Sequence, residues 1–269
     1  MSTLLAGPWS GEFGWELFAW HAYIRSLSAH FDKTVIVARE NSQYLYSDFS
    51  DSFLCCEPNT GLADAFFMHG FAPEKELGKI LTDNDFKSSD SLSIMIPRRI
   101  GWPPQTHYTE KFEFGRFTVA PKYVIFTGNE QSDKYDFIFH ARNRDLRRED
   151  NWSISKWESL ANMLGGKIGC IGTKNESHHI QGTDDLRSIN LKELCGIINK
   201  SQCVFGPSSG PMHLASLCNT KHVVWSKPDN RLRYEKNWNP HNTPVKFLDK
   251  YNWHPSAEYV YESYTQWSK

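Results

Sequence analysis

Apolar residues in this chain fall into short unbroken runs bounded by Gly, Pro, Ser or Asn, alternating with stretches where they recur at helical spacing. Residues 1–6 form the first run, and a glycine-rich loop over 7–14 follows it. Leu17, Phe18, Trp20, Ile24 and Leu27 then mark one face of a helix over 15–27, and residues 34–38 make a second run. Together these predict a β-loop-α-β unit. Further on, the pattern predicts helices over 41–52, 63–69 and 73–81, a strand over 92–96, and a long surface loop over 97–117 rich in Pro, aromatics and charge. Residues 121–126 close the first half, and 127–134 have the composition of a linker. In the second half, strands are predicted over 135–140, 167–172, 202–205 and 222–226, alternating with helices over 153–164, 191–200 and 212–218. A last helix over 256–267 carries Tyr259, Val260 and Tyr264 on one face. Strands without polar alternation, interleaved with helices, predict short parallel sheets covered on both sides.

The 269 residues accommodate two such α/β halves, each of roughly 130 residues and within the usual domain range. The expected domains are 1–128 and 135–255. Thirty Lys and Arg against 31 Asp and Glu leave a formal charge of −1, so no overall field favours nucleic acid or an anionic membrane. The six cysteines show no CxxC spacing, and Cys170, Cys195 and Cys203 lie in or beside apolar patterns, which reads as buried reduced thiols. There is no apolar leader after a basic start and no run of membrane-spanning length, so a cytoplasmic protein without a transmembrane segment is expected. His178 and His179 are adjacent and cannot share a helix face, and no HExxH pattern is present; no metal and no cofactor are expected.

The stretch from Gly206 to Leu217 changes character within a few residues. An apolar strand end, Cys203-Val204-Phe205, leads through Pro207, Ser208 and Ser209 into a helix-forming segment. Backbone N–H groups and the positive end of the helix dipole converge there, and Gly210 lets an anion approach closely. Such a loop suits a diphosphate. Ser209-Gly210-Pro211-Met212-His213-Leu214-Ala215 resembles the S-G-P-M-H-L-A signature of the heptosyltransferase-like glycosyltransferases, family 9 of the GT-B fold. These enzymes move a sugar from a nucleotide diphosphate to an acceptor. The resemblance implies a GT-B-like α/β fold, two Rossmann-like domains with parallel sheets and a cleft between them, and a terminal helix over 256–269 that crosses back to the first domain. It also implies a nucleotide-sugar donor bound by the second domain, with Ser208, Ser209, Gly210, Pro211, Met212 and His213 around it and His213 bracing the loop. One departure stands out: where the family carries Asn-Asp before the Ser, this chain has Pro207 and Ser208, which removes a carboxylate expected beside the donor sugar.

Gly11-Glu12 is similar to the Gly-Asp of the same family, whose acid deprotonates the acceptor hydroxyl. Inverting transfer needs such a base, because the attacking oxygen must lose its proton. Glu12 is the candidate, with Glu16 one turn on as a second acid or as a partner for an arginine; the alternative for Glu12 is a first-turn acid favoured by the helix dipole. Arg142 and Arg144 follow a strand and have the chemistry to bind phosphate oxygens, whereas Arg147 and Arg148 read as a solvated cluster with Asp145, Glu149 and Asp150. Lys174, Lys227 and Asp229, each in a loop after a strand, are further donor candidates. Trp15, Arg98 and Arg99 are acceptor candidates, and Arg98 and Arg99 with Lys111 and Arg116 also suit an anionic polymer. The expected function is a metal-independent inverting glycosyltransferase, for a hexose, pentose or heptose, acting on a glycan or lipopolysaccharide-type acceptor. Two alternatives stand beside it: a phage-type glycosyltransferase acting on a hydroxymethylated base in DNA, and a non-catalytic nucleotide- or glycan-binding module of the same fold.

Overall fold

Each half of the chain builds its own parallel sheet. The computed structural model describes residues 1–57, 73–84, 86, 91–97, 112–114 and 116–269; the helix expected over 63–69 and most of the loop expected over 97–117 lie outside them. The described chain divides into two units, Met1–Tyr123 and Val124–Lys269.

In the first unit, β1 (Thr3–Ala6) leads through the glycine-rich loop into α1 (Phe13–Trp15), a wide π-type turn (Glu16–Trp20) and α2 (His21–Ser28). Then come β2 (Lys33–Ala38), α3 (Gln43–Tyr46), β3 (Ser52–Cys55), α4 (Pro73–Asp83) and β4 (Leu92–Met95). The four strands pair in parallel in the order β3-β2-β1-β4. Leu5, Val35 and Val37 on one face pack with Leu77 of α4 and with Ile96. The single helix expected over 15–27 is interrupted by the π-type turn, which widens the backbone by one residue and carries Glu16 into the interior. The helix expected over 41–52 stops early at Tyr46, and β3 begins at its expected last residue, Ser52, as the second parallel partner of β2. A hairpin of β5 (Phe112–Phe114) and β6 (Phe117–Val119) occupies the end of the segment read as loop.

The second unit holds β7 (Phe137–Phe139), α5 (Ile154–Leu164), β8 (Ile168–Cys170), β9 (Asp184–Asp185), α6 (Leu191–Lys200), β10 (Cys203–Pro207), α7 (Gly210–Leu217), β11 (His222–Trp225), β12 (Val245–Leu248) and α8 (Ala257–Trp267). Its sheet runs β12-β11-β10-β7-β8-β9, all parallel. From β7 the chain proceeds outward through β8 and then returns to β10 on the other side, so the topological switch falls between β7 and β10. Ligands of open α/β sheets bind outside the carboxyl ends of the strands at such a switch. Trp152, Trp157 and Trp225 form the centre of the core, with ring centroids 4.8–5.3 Å apart. The Trp152 indole N–H donates to Pro255 O at 2.8 Å and fixes the approach to α8. The Ser256 side chain caps α8 by accepting from Tyr259 N–H, and Tyr264 packs on Phe137 and Phe205. The terminal helix, expected to cross back, thus spends its apolar face within the second unit. Among the described residues no helix is long and apolar enough to cross a membrane, and Cys170, Cys195, Cys203 and Cys218 are buried free thiols.

Residues 127–134, read as a linker, are docked on α6. Asn129 N–H donates to Lys192 O at 3.1 Å and Asn129 Nδ2 to Glu193 Oε2 at 2.8 Å. The approach requires glycine at Gly196: an added Cβ would lie 2.5 Å from Asn129 O and 2.8 Å from Asn129 N. Gly196→Ala is therefore expected to destabilise the protein by about 1–3 kcal/mol through overpacking against backbone. Thermal denaturation checks this, and an unchanged midpoint would contradict the tight docking.

Candidate functional site

The segment between β10 and α7 is held by side chains from distant parts of the second unit. Pro207 pairs with Trp225 of β11, and Ser208 N–H donates to Trp225 O at 3.0 Å. Ser209 occupies the N-cap of α7 in extended conformation and does not cap the helix with its own side chain. Its hydroxyl donates to Pro207 O at 3.0 Å and accepts from His140 Nδ1 at 2.8 Å. The single hydroxyl proton is used on Pro207, so His140 is the donor to Ser209 and carries its proton on Nδ1. Burial, reinforced by Arg142 and Arg144, drops the His140 pKa to about 3, which keeps the ring neutral.

Tyr234 holds the same segment from the other side. Its hydroxyl accepts from Ser209 N–H at 3.0 Å and donates to Ser208 Oγ at 3.2 Å. The ring stacks on His213 with centroids 4.2 Å apart, and Trp238 meets His213 edge-on at 4.4 Å. Burial first, then Arg233 and His222, hold His213 well below the ordinary histidine pKa. A neutral, stacked ring suits the bracing role expected of His213 and not proton transfer. With Ser209 N–H given to Tyr234 and Pro211 lacking an N–H, the buried residues Gly210 and Met212 carry the remaining N–H groups of the first turn of α7, where no intrahelical acceptor exists for them.

Arg142 follows β7 as expected, but its guanidinium is directed inward. Only 2% of the residue is exposed. One terminal nitrogen donates to Ser208 O at 3.2 Å, the other to Asp150 O at 2.7 Å, and the plane lies 4.8 Å from the Trp253 ring centroid. Each terminal nitrogen gives one bond to a carbonyl, and through Ser208 O Arg142 braces the loop. Arg144 is half-buried and its backbone is pinned by Asn151 in both directions, at 3.2 and 2.8 Å. Arg148 pairs with Asp145 at 2.6 Å on the surface and Arg147 approaches Asp150 at 3.8 Å, as the solvated-cluster reading expects. Lys174 is exposed in the loop after β8, its N–H bound to Ser188 Oγ at 3.1 Å. Lys227 and Asp229 are exposed on the turn after β11, next to the strand that pairs with Pro207.

In the first unit, Glu12 stands half-buried at the N-cap of α1, makes no side-chain cap bond, and its carbonyl accepts from Glu16 N–H at 3.0 Å. Glu16 is wholly buried; its carboxylate accepts from Ser42 Oγ at 2.9 Å and Tyr46 OH at 2.8 Å. Burial raises its pKa, opposed by the Arg39 charge and the two hydroxyls. Both oxygens are thus enclosed, which removes Glu16 as a second acid for substrate. Trp15 is 9% exposed and belongs to the core, while Arg98, Arg99 and Lys111 lie outside the described residues. Among the described residues no group of three or more His, Cys, Asp or Glu is placed to hold a metal ion. His140, Tyr234 and Arg39 carry no local motif; only the spacing of His140 directly after a strand hinted at its place.

No protein-family model matches the chain, and no curated protein matches it. Solved structures do. The Escherichia coli ADP-heptose LPS heptosyltransferase II is 12% identical, with 99% of this chain and 98% of that chain covered at a TM-score of 0.61. The fold is GT-B-like. E. coli heptosyltransferase WaaC with ADP gives 12% identity, 99% coverage of both chains and a TM-score of 0.62, and a family 9 glycosyl transferase from Veillonella parvula gives 12%, 98% and 96%, and 0.60. Near-complete coverage of both partners shows that this GT-B-like chain shares both sheets with these structures, as expected from its sequence.

The neutral histidines of the second unit make its stability depend on pH. His140 and His222, at about 3 and about 4, and His213 below its ordinary value are all depressed by burial first. Unfolding restores ordinary values near 6.5, so below that pH the unfolded chain binds protons that the folded chain refuses. Stability present above about pH 6.5 is expected to fall toward pH 4, by up to about 1.4 kcal/mol per pH unit for each histidine. Urea denaturation followed by tryptophan fluorescence reads it; equal stability at pH 7 and pH 5 would contradict the assignment.

Proposed function

We propose that this chain is a glycosyltransferase that takes a sugar from a nucleoside diphosphate sugar and delivers it, with inversion and without a metal, to a hydroxyl of a glycan or lipopolysaccharide-type acceptor. The observation that carries this reading is the loop from Ser208 to His213, fixed by His140, Arg142 and Tyr234 while the Gly210 and Met212 amides remain at the start of α7. Helix starts of this kind bind phosphate groups. Two solved structures of the same fold support it by what they hold or use: WaaC was solved with ADP, and heptosyltransferase II is an ADP-heptose enzyme.

In the proposed reaction the acceptor oxygen forms a bond to the anomeric carbon as the bond from that carbon to the diphosphate breaks. The acceptor proton passes to the Glu12 carboxylate. Negative charge grows on the departing diphosphate, where the α7 amides and the Arg144 guanidinium stabilise it. Arg142 contributes by holding the Ser208 carbonyl. Pro207 and Ser208 stand where the heptosyltransferase-like family carries Asn-Asp, so donor sugar recognition here proceeds without that carboxylate. Lys174, Lys227 and Asp229 lie on loops at the same sheet edge for contacts to the rest of the donor.

A thermal-shift screen against UDP-, ADP-, GDP- and CMP-sugars in EDTA, followed by nucleotide-release assays, tests this reading. One nucleotide class is expected to stabilise the protein. Glu12→Gln should keep that stabilisation and lose turnover by about 10²–10⁴-fold. Tyr234→Phe, which frees Ser209 N–H and Ser208 Oγ, should weaken donor binding about tenfold with little change in stability without donor. Absence of stabilisation by every donor, or near-normal turnover of Glu12→Gln, would overturn it.

A further inference from the structure

The loop carrying Glu12 is held from one side by an arginine that its own sequence does not contain. Arg39 follows β2 and is half-buried. Its two terminal nitrogens reach back to successive carbonyls, Gly11 O at 2.8 Å and Ser10 O at 2.7 Å. The start of the loop is tied separately, by Gly7 N–H to Met95 O at 2.8 Å and Trp9 N–H to Val37 O at 3.1 Å. Between these anchors and Glu12 no residue intervenes beyond Ser10 and Gly11, so the fork on Arg39 sets the last two peptide planes before the acid.

The Glu16 carboxylate in the same unit is enclosed, with Ser42 and Tyr46 on its two oxygens. Ser42 precedes α3 and Tyr46 ends it. A buried carboxylate needs a compensating charge as well as hydrogen bonds. Arg39 is the cation whose field opposes the burial of Glu16, while its terminal nitrogens are spent on the loop backbone. Lysine cannot reproduce this grip, because a single ammonium lacks the planar fork that spans two carbonyls.

We propose that Arg39 is the positioning residue for Glu12, holding the Ser10-Gly11 backbone so that the Glu12 carboxylate is presented at a fixed place. The inference rests on the reading of Glu12 as the base.

Steady-state kinetics and amide hydrogen exchange over residues 8–16 test it in Arg39→Lys, Arg39→Met and the double variant Arg39→Met/Glu16→Gln. The double variant removes both charges and guards against a fold lost to an uncompensated carboxylate. Misplacement of a reacting group by an ångström costs about a hundredfold. Arg39→Met and the double variant are thus expected to lower kcat about a hundredfold and Arg39→Lys about tenfold, each with donor KM within about twofold of wild type. Amides of residues 11–14 should exchange faster in all three. A kcat within about twofold of wild type, a fall matched by an equal rise in donor KM, or unchanged exchange in the double variant would overturn the proposal. If the wild-type protein transfers no sugar from any donor, the failure is that of the proposed function, and the exchange measurement alone decides whether Arg39 holds the loop.

Discussion

Ser208 and Ser209 are held by four residues from three separate segments, and the candidate site depends on that hold. Trp225 of the neighbouring strand, His140 and Arg142 after β7, and the hydroxyl of Tyr234 all bind polar atoms of the loop. A typical hydrogen bond of this kind contributes only about 1 kcal/mol net, so their significance is geometric. They occupy polar atoms of Ser208 and Ser209 and leave the Gly210 and Met212 amides at the start of α7 for the proposed anion. Preorganised donors of that sort cost no rearrangement when charge develops on a bound group.

The two units solve the same problem with different chemistry. In the second, neutral side chains do the holding: His140 and His213 are kept uncharged by burial, and Arg142 is balanced by carbonyl dipoles and the Trp253 ring. The formal positive charges acting on His140 are those of Arg142 and Arg144, and protonation of the buried histidines does not add to them at neutral pH. In the first unit a charged donor does the holding. Glu16 is placed inside by the π-type turn, and Arg39 donates to the Ser10 and Gly11 carbonyls. Wide turns of this type recur at functional sites, and here the widening is what separates the roles of two acids only four residues apart.

The strands of both sheets were legible where apolar runs are continuous, as in Leu4-Leu5-Ala6, Val35-Ile36-Val37 and Cys203-Val204-Phe205, because parallel strands covered on both faces carry no polar alternation. Strand β3 begins where the helix expected over 41–52 was to end and was not read, and β12 lay in the short polar-flanked segment Val245–Leu248, which pairs with β11. The loop proposed to hold a diphosphate was legible because its pattern is local: strand, glycine, proline and helix follow one another in sequence. Arg142 was assigned by residue type, and its direction depends on Ser208 and Asp150 carbonyls that no spacing rule identifies. Tyr234 and Arg39 were illegible for the same reason, since each acts on backbone some 25 to 29 positions away.

The central claim is that the first turn of α7 is a diphosphate site, and inorganic pyrophosphate tests it without knowledge of the base or the sugar. Amide proton-nitrogen spectra of the full chain, titrated with pyrophosphate, should show the largest saturable shifts at Gly210 and Met212. No saturable shift at either amide, or larger shifts at amides remote from residues 208–213, would contradict the account.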